Sequence, residues 1–117
     1  MTCGWKLDRD LRENLLVAHP PRYANAVADH VTLSVSLSQP PAPARRPRIV
    51  GHVDDQSGVE AMVVEIEGST ARPDRKVWHI TWSLADGRTA RESNDVIAAL
   101  GWTPLDGVEL RLQSAVW

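Results

Sequence analysis

The chain has 117 residues, 43% of them hydrophobic and 24% charged, enough for one globular core and too few for two ordinary domains. Thirteen Lys and Arg against 15 Asp and Glu give a net charge of −2, which excludes a protein that coats nucleic acid by broad phosphate neutralisation. A single cysteine, Cys3, excludes an internal disulfide framework, and no apolar run approaches the roughly 20 residues of a membrane-spanning helix, so the sequence reads as unsecreted, cytoplasmic and not membrane-bound.

In chain order, Leu15 to Ala18 is a short apolar run ended by Pro20-Pro21, compatible with a strand or a short helix. Residues 22–28 suit one or two helical turns. From His30 to Leu37 the alternation is complete, with Val31, Leu33, Val35 and Leu37 on one face and His30, Thr32, Ser34 and Ser36 on the other. Gln39 to Arg48 holds four prolines and three arginines and reads as an exposed loop. Arg48–Asp54 and Val59–Glu67 flank the turn signal Asp55-Gln56-Ser57-Gly58 and predict a β-hairpin. Arg45, Arg46 and Arg48, and Arg72, Arg75 and Lys76, form two basic clusters that read as solvated loop charges. Val77 to Leu84 predicts a strand with Ile80, Trp82 and Leu84 on one face and His79, Thr81 and Ser83 on the other. Trp78 and Trp82 are expected to pack in the core or hairpin. Ser93 is placed to cap a helix that runs to about Leu100 and ends at Gly101, and Val108 to Trp117 reads as one last strand. The sum is a single α+β domain over residues 1–117 with a largely antiparallel sheet and one or two helices.

The chemistry-bearing pattern is the pair His30-Val31-Thr32-Leu33 and His79-Ile80-Thr81-Trp82. Residues i and i+2 of a strand share a face about 6.6 Å apart, so each motif offers an imidazole and a hydroxyl together, anchored by the intervening Val or Ile. Neighbouring strands lie about 4.8 Å apart, and two such strands, side by side or separated by one strand, would converge on a space that fits one phosphate. Phosphodiester cleavage needs one proton taken from the attacking oxygen and another given to the leaving oxygen, and imidazole, with an ordinary pKa of about 6.5, suits both roles. Thr32 and Thr81 would donate to the non-bridging oxygens, and the design asks for no metal or other cofactor. A single histidine on a half-exposed strand is usually an ordinary polar residue; the duplication carries the inference. His52 and His19 read as surface and loop histidines, and no ligand spacing for a metal is evident.

These motifs resemble those of the two-histidine (2H) phosphoesterase superfamily, and most closely the cyclic-phosphodiesterase domains of RNA-repair proteins such as fungal and plant tRNA ligases. The likeness runs over residues 13–100. It includes Pro20-Pro21-Arg22-Tyr23 leading into Asp29-His30-Val31-Thr32-Leu33, and Trp78-His79-Ile80-Thr81-Trp82 leading into Glu92-Ser93-Asn94. It implies a bilobal fold with a central cleft between pseudo-duplicated strands, and hydrolysis of a 2′,3′-cyclic phosphate on an RNA end or nucleotide. His30, Thr32, His79 and Thr81 would be catalytic; Arg22, Tyr23 and Asn94, near elements expected to border the cleft, would contact substrate or serve structural roles such as helix capping near Asn94. RNA ligation, RNA-end trimming and small cyclic-nucleotide hydrolysis are activities of the same superfamily. From other classes come an RNA- or nucleotide-binding module without turnover and a structural partner subunit. Which histidine is acid and which base is open at this level.

Overall fold

The computed structural model describes residues 1–117 as an α+β fold with two helices and two antiparallel sheets. The first strand, β1 (Cys3–Leu7), leads into α1 (Arg9–Ala18), whose start is set by the Asp8 carboxylate accepting from Leu11 N at 2.9 Å. Leu11 and Leu15 then fall one turn apart on the packed face, and Pro20-Pro21 forbids continuation. The ambiguous apolar run is therefore the end of a helix that begins earlier. The expected helical turns at 22–28 are absent. A short strand, β2 (Asn25–Ala26), forms there, because the otherwise unpaired edge of the strand at His79–Leu84 offers it backbone partners.

Strand β3 (His30–Ser34) is shorter than the alternation to Leu37 suggested. Val31 and Leu33 pack into the core, but Val35 and Leu37 are exposed, since no element lies beneath them. The loop that follows is irregular and mostly exposed as expected, although Ala42 O accepts from the Trp5 indole at 3.0 Å. The predicted hairpin is present as β4 (Arg48–Asp54) and β5 (Val59–Glu65), its turn closed by Asp55 side-chain bonds to Ser57 N and Val59 N. Strand β6 (His79–Leu84) pairs with β5. Helix α2 (Glu92–Leu100) ends at Gly101, whose φ of +68° suits a residue without a Cβ. Its start differs from expectation: Arg91 occupies the cap position, and Ser93 lies inside the helix, fully buried. The last segment is two strands, β7 (Thr103–Glu109) and β8 (Leu112–Val116), divided at Leu110-Arg111 and delivered to different sheets.

The sheets have strand orders β3-β1-β8 and β2-β6-β5-β4-β7. They enclose one core in which Trp5, Leu7 and Val31 meet Met62, Ile80 and Trp82, with Leu15 of α1. On its other face the larger sheet packs against α2, where Ala61, Val63 and Leu84 meet Val96 and Ile97. Trp82 has no partner on β5: Ala61 faces Thr81 but Glu60 faces Ser83. This one-residue bulge reverses the side-chain alternation. Leu84 therefore joins the α2 layer instead of lying with Ile80 and Trp82, and Ser83 sits with Glu60. No helix is long and apolar enough to cross a membrane.

Candidate functional site

The two motif strands are brought together by the β2–β6 pairing. Asn25 faces Leu84 and Ala26 faces Ser83, and the same step continues as Val27 N and Ala28 N donate to Trp82 O and Thr81 O. Two residues further on, β3 begins at His30 and lies against β6, which begins at His79. There the ladder ends: Leu7 N donates to Asp29 O, and β3 turns its backbone bonds to β1. The two motif strands thus flank the seam where the two sheets part. Arg72 spans the same seam, donating from Nη1 to Thr32 O at 3.3 Å while its other nitrogens grip Asp74 at 2.8 Å. It is buried, so the expectation of a solvated loop charge fails for this residue; the guanidinium stays because each face of it has an acceptor.

Each ring is held through Nδ1. His30 Nδ1 lies 3.0 Å from Asp29 Oδ2, and His79 Nδ1 lies 2.8 Å from Val77 O. Both acceptors lack hydrogen, so each Nδ1 carries the proton and each Nε2 is left unpartnered by protein. The environments differ. Burial pushes His30 below the ordinary imidazole pKa, and the Asp29 carboxylate opposes that shift. Burial also lowers His79; its carbonyl partner opposes only in part, and the charges of Arg72, His30 and Lys76 lower it further. The charge of His30 thus reaches His79 across the seam. Burial alone would raise Asp29, but hydrogen bonds from Lys6, His30 and Arg9 hold it well below the usual carboxylate range. Lys6 Nζ is 2.6 Å from Asp29 and 4.3 Å above the Trp117 ring, which is itself 4.6 Å from the His30 ring.

The two threonines are not equivalent. Thr32 is partly exposed, and its hydroxyl makes no bond to protein. Thr81 is buried beneath α2, with Oγ1 2.9 Å from Ser93 Oγ and 3.3 Å from Ala90 O. Asn94 follows Ser93 on α2; its Nδ2 donates to Arg91 O, while its Oδ1 is buried with no partner, a vacant acceptor at the rim of this layer.

Arg22 and Tyr23 are not gathered into this seam. They sit on the opposite face of the larger sheet, both bonded to Asp54, and the Arg22 and Tyr23 backbones donate to Glu60 and Ser83. His52 joins them there, Nε2 2.8 Å from Glu60 Oε2, so it is no free surface histidine. The sequence did carry a signal for this group: His52, Asp54 and Glu60 alternate toward one face of a hairpin whose turn was legible. Asp29 and Arg72 were also missed as site residues, although each is adjacent to a motif or just ahead of it.

Comparison of the chain with protein-family models, with curated proteins and with solved structures finds no match in any of the three.

Proposed function

We propose that the chain is a metal-independent phosphodiesterase that hydrolyses a 2′,3′-cyclic phosphate, on an RNA end or a nucleotide, by two-histidine acid-base catalysis. The observation that supports this reading is the contact between the two motif strands at the β3–β6 seam, each strand opening on a histidine whose ring is tethered by Nδ1 with Nε2 unpartnered. His79 is desolvated and surrounded by cationic groups, which suits the neutral base that takes a proton from water. His30 has a carboxylate on Nδ1, which stabilises the imidazolium, and it serves as the acid that protonates the leaving 2′ or 3′ oxygen. Attack in line opens the ring and leaves a phosphomonoester; the proton removed at His79 balances the one delivered by His30. Thr32, with its free hydroxyl, and the charge of Arg72 meet the phosphoryl oxygens, so the reading calls on no metal ion.

The engaged hydroxyl of Thr81 favours a second reading, a module that binds cyclic-phosphate ends without turning them over, because one of the two expected phosphate donors is already satisfied by Ser93. Incubation with a 2′,3′-cyclic nucleotide and with a cyclic-phosphate-ended oligonucleotide, both in excess chelator, separates the two. Turnover is expected to survive chelation and to fall by about 10²–10⁴-fold in His30→Ala and in His79→Ala. Binding without product favours the second reading, and wild-type rates in either variant remove that histidine from the mechanism.

A further inference from the structure

The segment between β3 and β4 takes no part in the seam. It reads Gln39-Pro40-Pro41-Ala42-Pro43-Ala44-Arg45-Arg46-Pro47. Each proline ring fixes its own φ at about −65° and keeps the residue before it out of the helical region, which here constrains every position from Gln39 to Pro43. The conformer such a run favours is the left-handed polyproline II helix, with about three residues per turn and no internal hydrogen bonds. The structure agrees on both counts. No backbone hydrogen bond joins two residues of 39–47. The partly buried positions, Pro41 and Ala44, are three apart, while Gln39, Pro40, Ala42, Pro43 and Arg45 are exposed. Arg46, with φ +50°, ends the run.

The segment is pinned to the body through its carbonyls. Trp5 Nε1 donates to Ala42 O at 3.0 Å, Glu67 N to Arg45 O at 2.8 Å and Leu110 N to Pro47 O at 2.8 Å, while Ala44 packs against the core. A three-fold helix held along one edge presents the other two. By that period Pro40 and Pro43 share one free edge, and Ala42 and Arg45 share the other. The one charged partner of Arg45 is Glu67, at 3.6 Å between side chains 79% and 62% exposed, a pairing worth little in water. Val35 and Leu37, exposed just ahead of the segment, add apolar surface.

We propose that residues 39–45 are a docking segment for a partner protein that carries an aromatic-lined groove with an acidic pocket beside it. Pro40 and Pro43 fill the groove, and the Arg45 guanidinium pairs with carboxylates of the pocket. Pro-x-x-Pro segments suit such grooves because the extended helix is already formed and loses little freedom on binding. Here the pins reduce that loss further. The arginine selects an acidic pocket over a neutral one, as the charge at the contact must be complementary. Nucleic acid is the poorer occupant: the segment offers no aromatic ring for a base to stack on. The inference does not depend on the chemistry of the histidine pair.

The test titrates the isotope-labelled 117-residue chain with a purified SH3 domain that binds Pro-x-x-Pro-x-Arg peptides, while backbone amide resonances are followed. Shifts are expected at Ala42, Ala44, Arg45 and Arg46. Pro43→Ala and Arg45→Glu are each expected to weaken binding by about 10-fold or more, as loss of an interface anchor does, with Arg45→Lys recovering part of it. Both positions are exposed, so the amide spectrum outside the segment should stay native in each variant. The proposal is overturned if the domain does not bind, if the shifts fall away from residues 39–46, or if either variant binds as the native chain does. An oligoribonucleotide that shifts these amides where the domain does not would equally overturn it.

Discussion

Asp29 illustrates how one side chain can set two chemically identical rings apart. It accepts from Lys6, Arg9 and His30 at once, and the charge it supplies is what distinguishes His30 from His79. Replacing it by Asn removes the group that favours the His30 imidazolium and leaves Lys6 and Arg9 beside the ring. The pKa of His30 should then fall further. With His30 as the acid, the alkaline limb of the kcat/KM profile moves to lower pH, the acid limb stays, and the bell narrows. Movement of the acid limb instead would exchange the two roles. At this scale the sequence was informative about residue types and spacing but silent on partners. That both His-x-Thr motifs lie on strands could be read from the alternation. The hydroxyl bond that occupies Thr81 could not, because Ser93 lies on a helix whose docking depends on the tertiary fold.

Elements were legible where period and turn chemistry agreed, as in β4 and β5 around Asp55-Gln56-Ser57-Gly58, and illegible where the packing of a neighbour decided. Nothing local marks Trp82 as an unpaired residue, yet that bulge moves Leu84 and Ser83 to opposite layers. Likewise Val108 to Trp117 reads as one strand, while the buried Leu110 and the pull of two separate sheets divide it. The join between β6 and α2 gives a test at this level. Ser93 is fully buried, so Thr81→Val takes away its hydroxyl partner and should cost about 1–3 kcal/mol, with Ser93→Ala costing a similar amount. The double variant should be destabilised by clearly less than the two single effects together, as chemical denaturation midpoints will show. Simple additivity would mean that the two hydroxyls are not coupled.

For the molecule as a whole, the seam couples protonation to folding. Both motif histidines have pKa values lowered by burial, so the folded chain resists protons that the unfolded chain accepts at about pH 6.5. Stability is therefore complete above that pH and falls as the pH drops through it toward the lowered folded values. Asp29 acts in a separate window. Its folded pKa is depressed by its ion pairs, so its contribution is present above about pH 4 and is lost only in stronger acid. Denaturation midpoints measured from pH 8 to pH 5 should decline in the native chain and decline less in the His30→Ala/His79→Ala variant. An equal decline in both would place the sensitivity in other groups.

The central strand of the smaller sheet is β1, and it is flanked by β3 on one side and by β8 on the other, with Cys3 facing Val116 and Leu7 facing Leu112. Strand β1 is thus completed by β8, far along the chain. Until Leu112–Val116 has emerged, one edge of β1 has no backbone partners, and closing it requires a loop that spans almost the entire chain. Such long-range closure pays its entropy before the contacts form, which sets the folding of this small protein in the slow, millisecond-to-second range of sheet-rich domains. During that interval the same edge is open to strands of other chains, and the nascent protein is at its most vulnerable to misassembly.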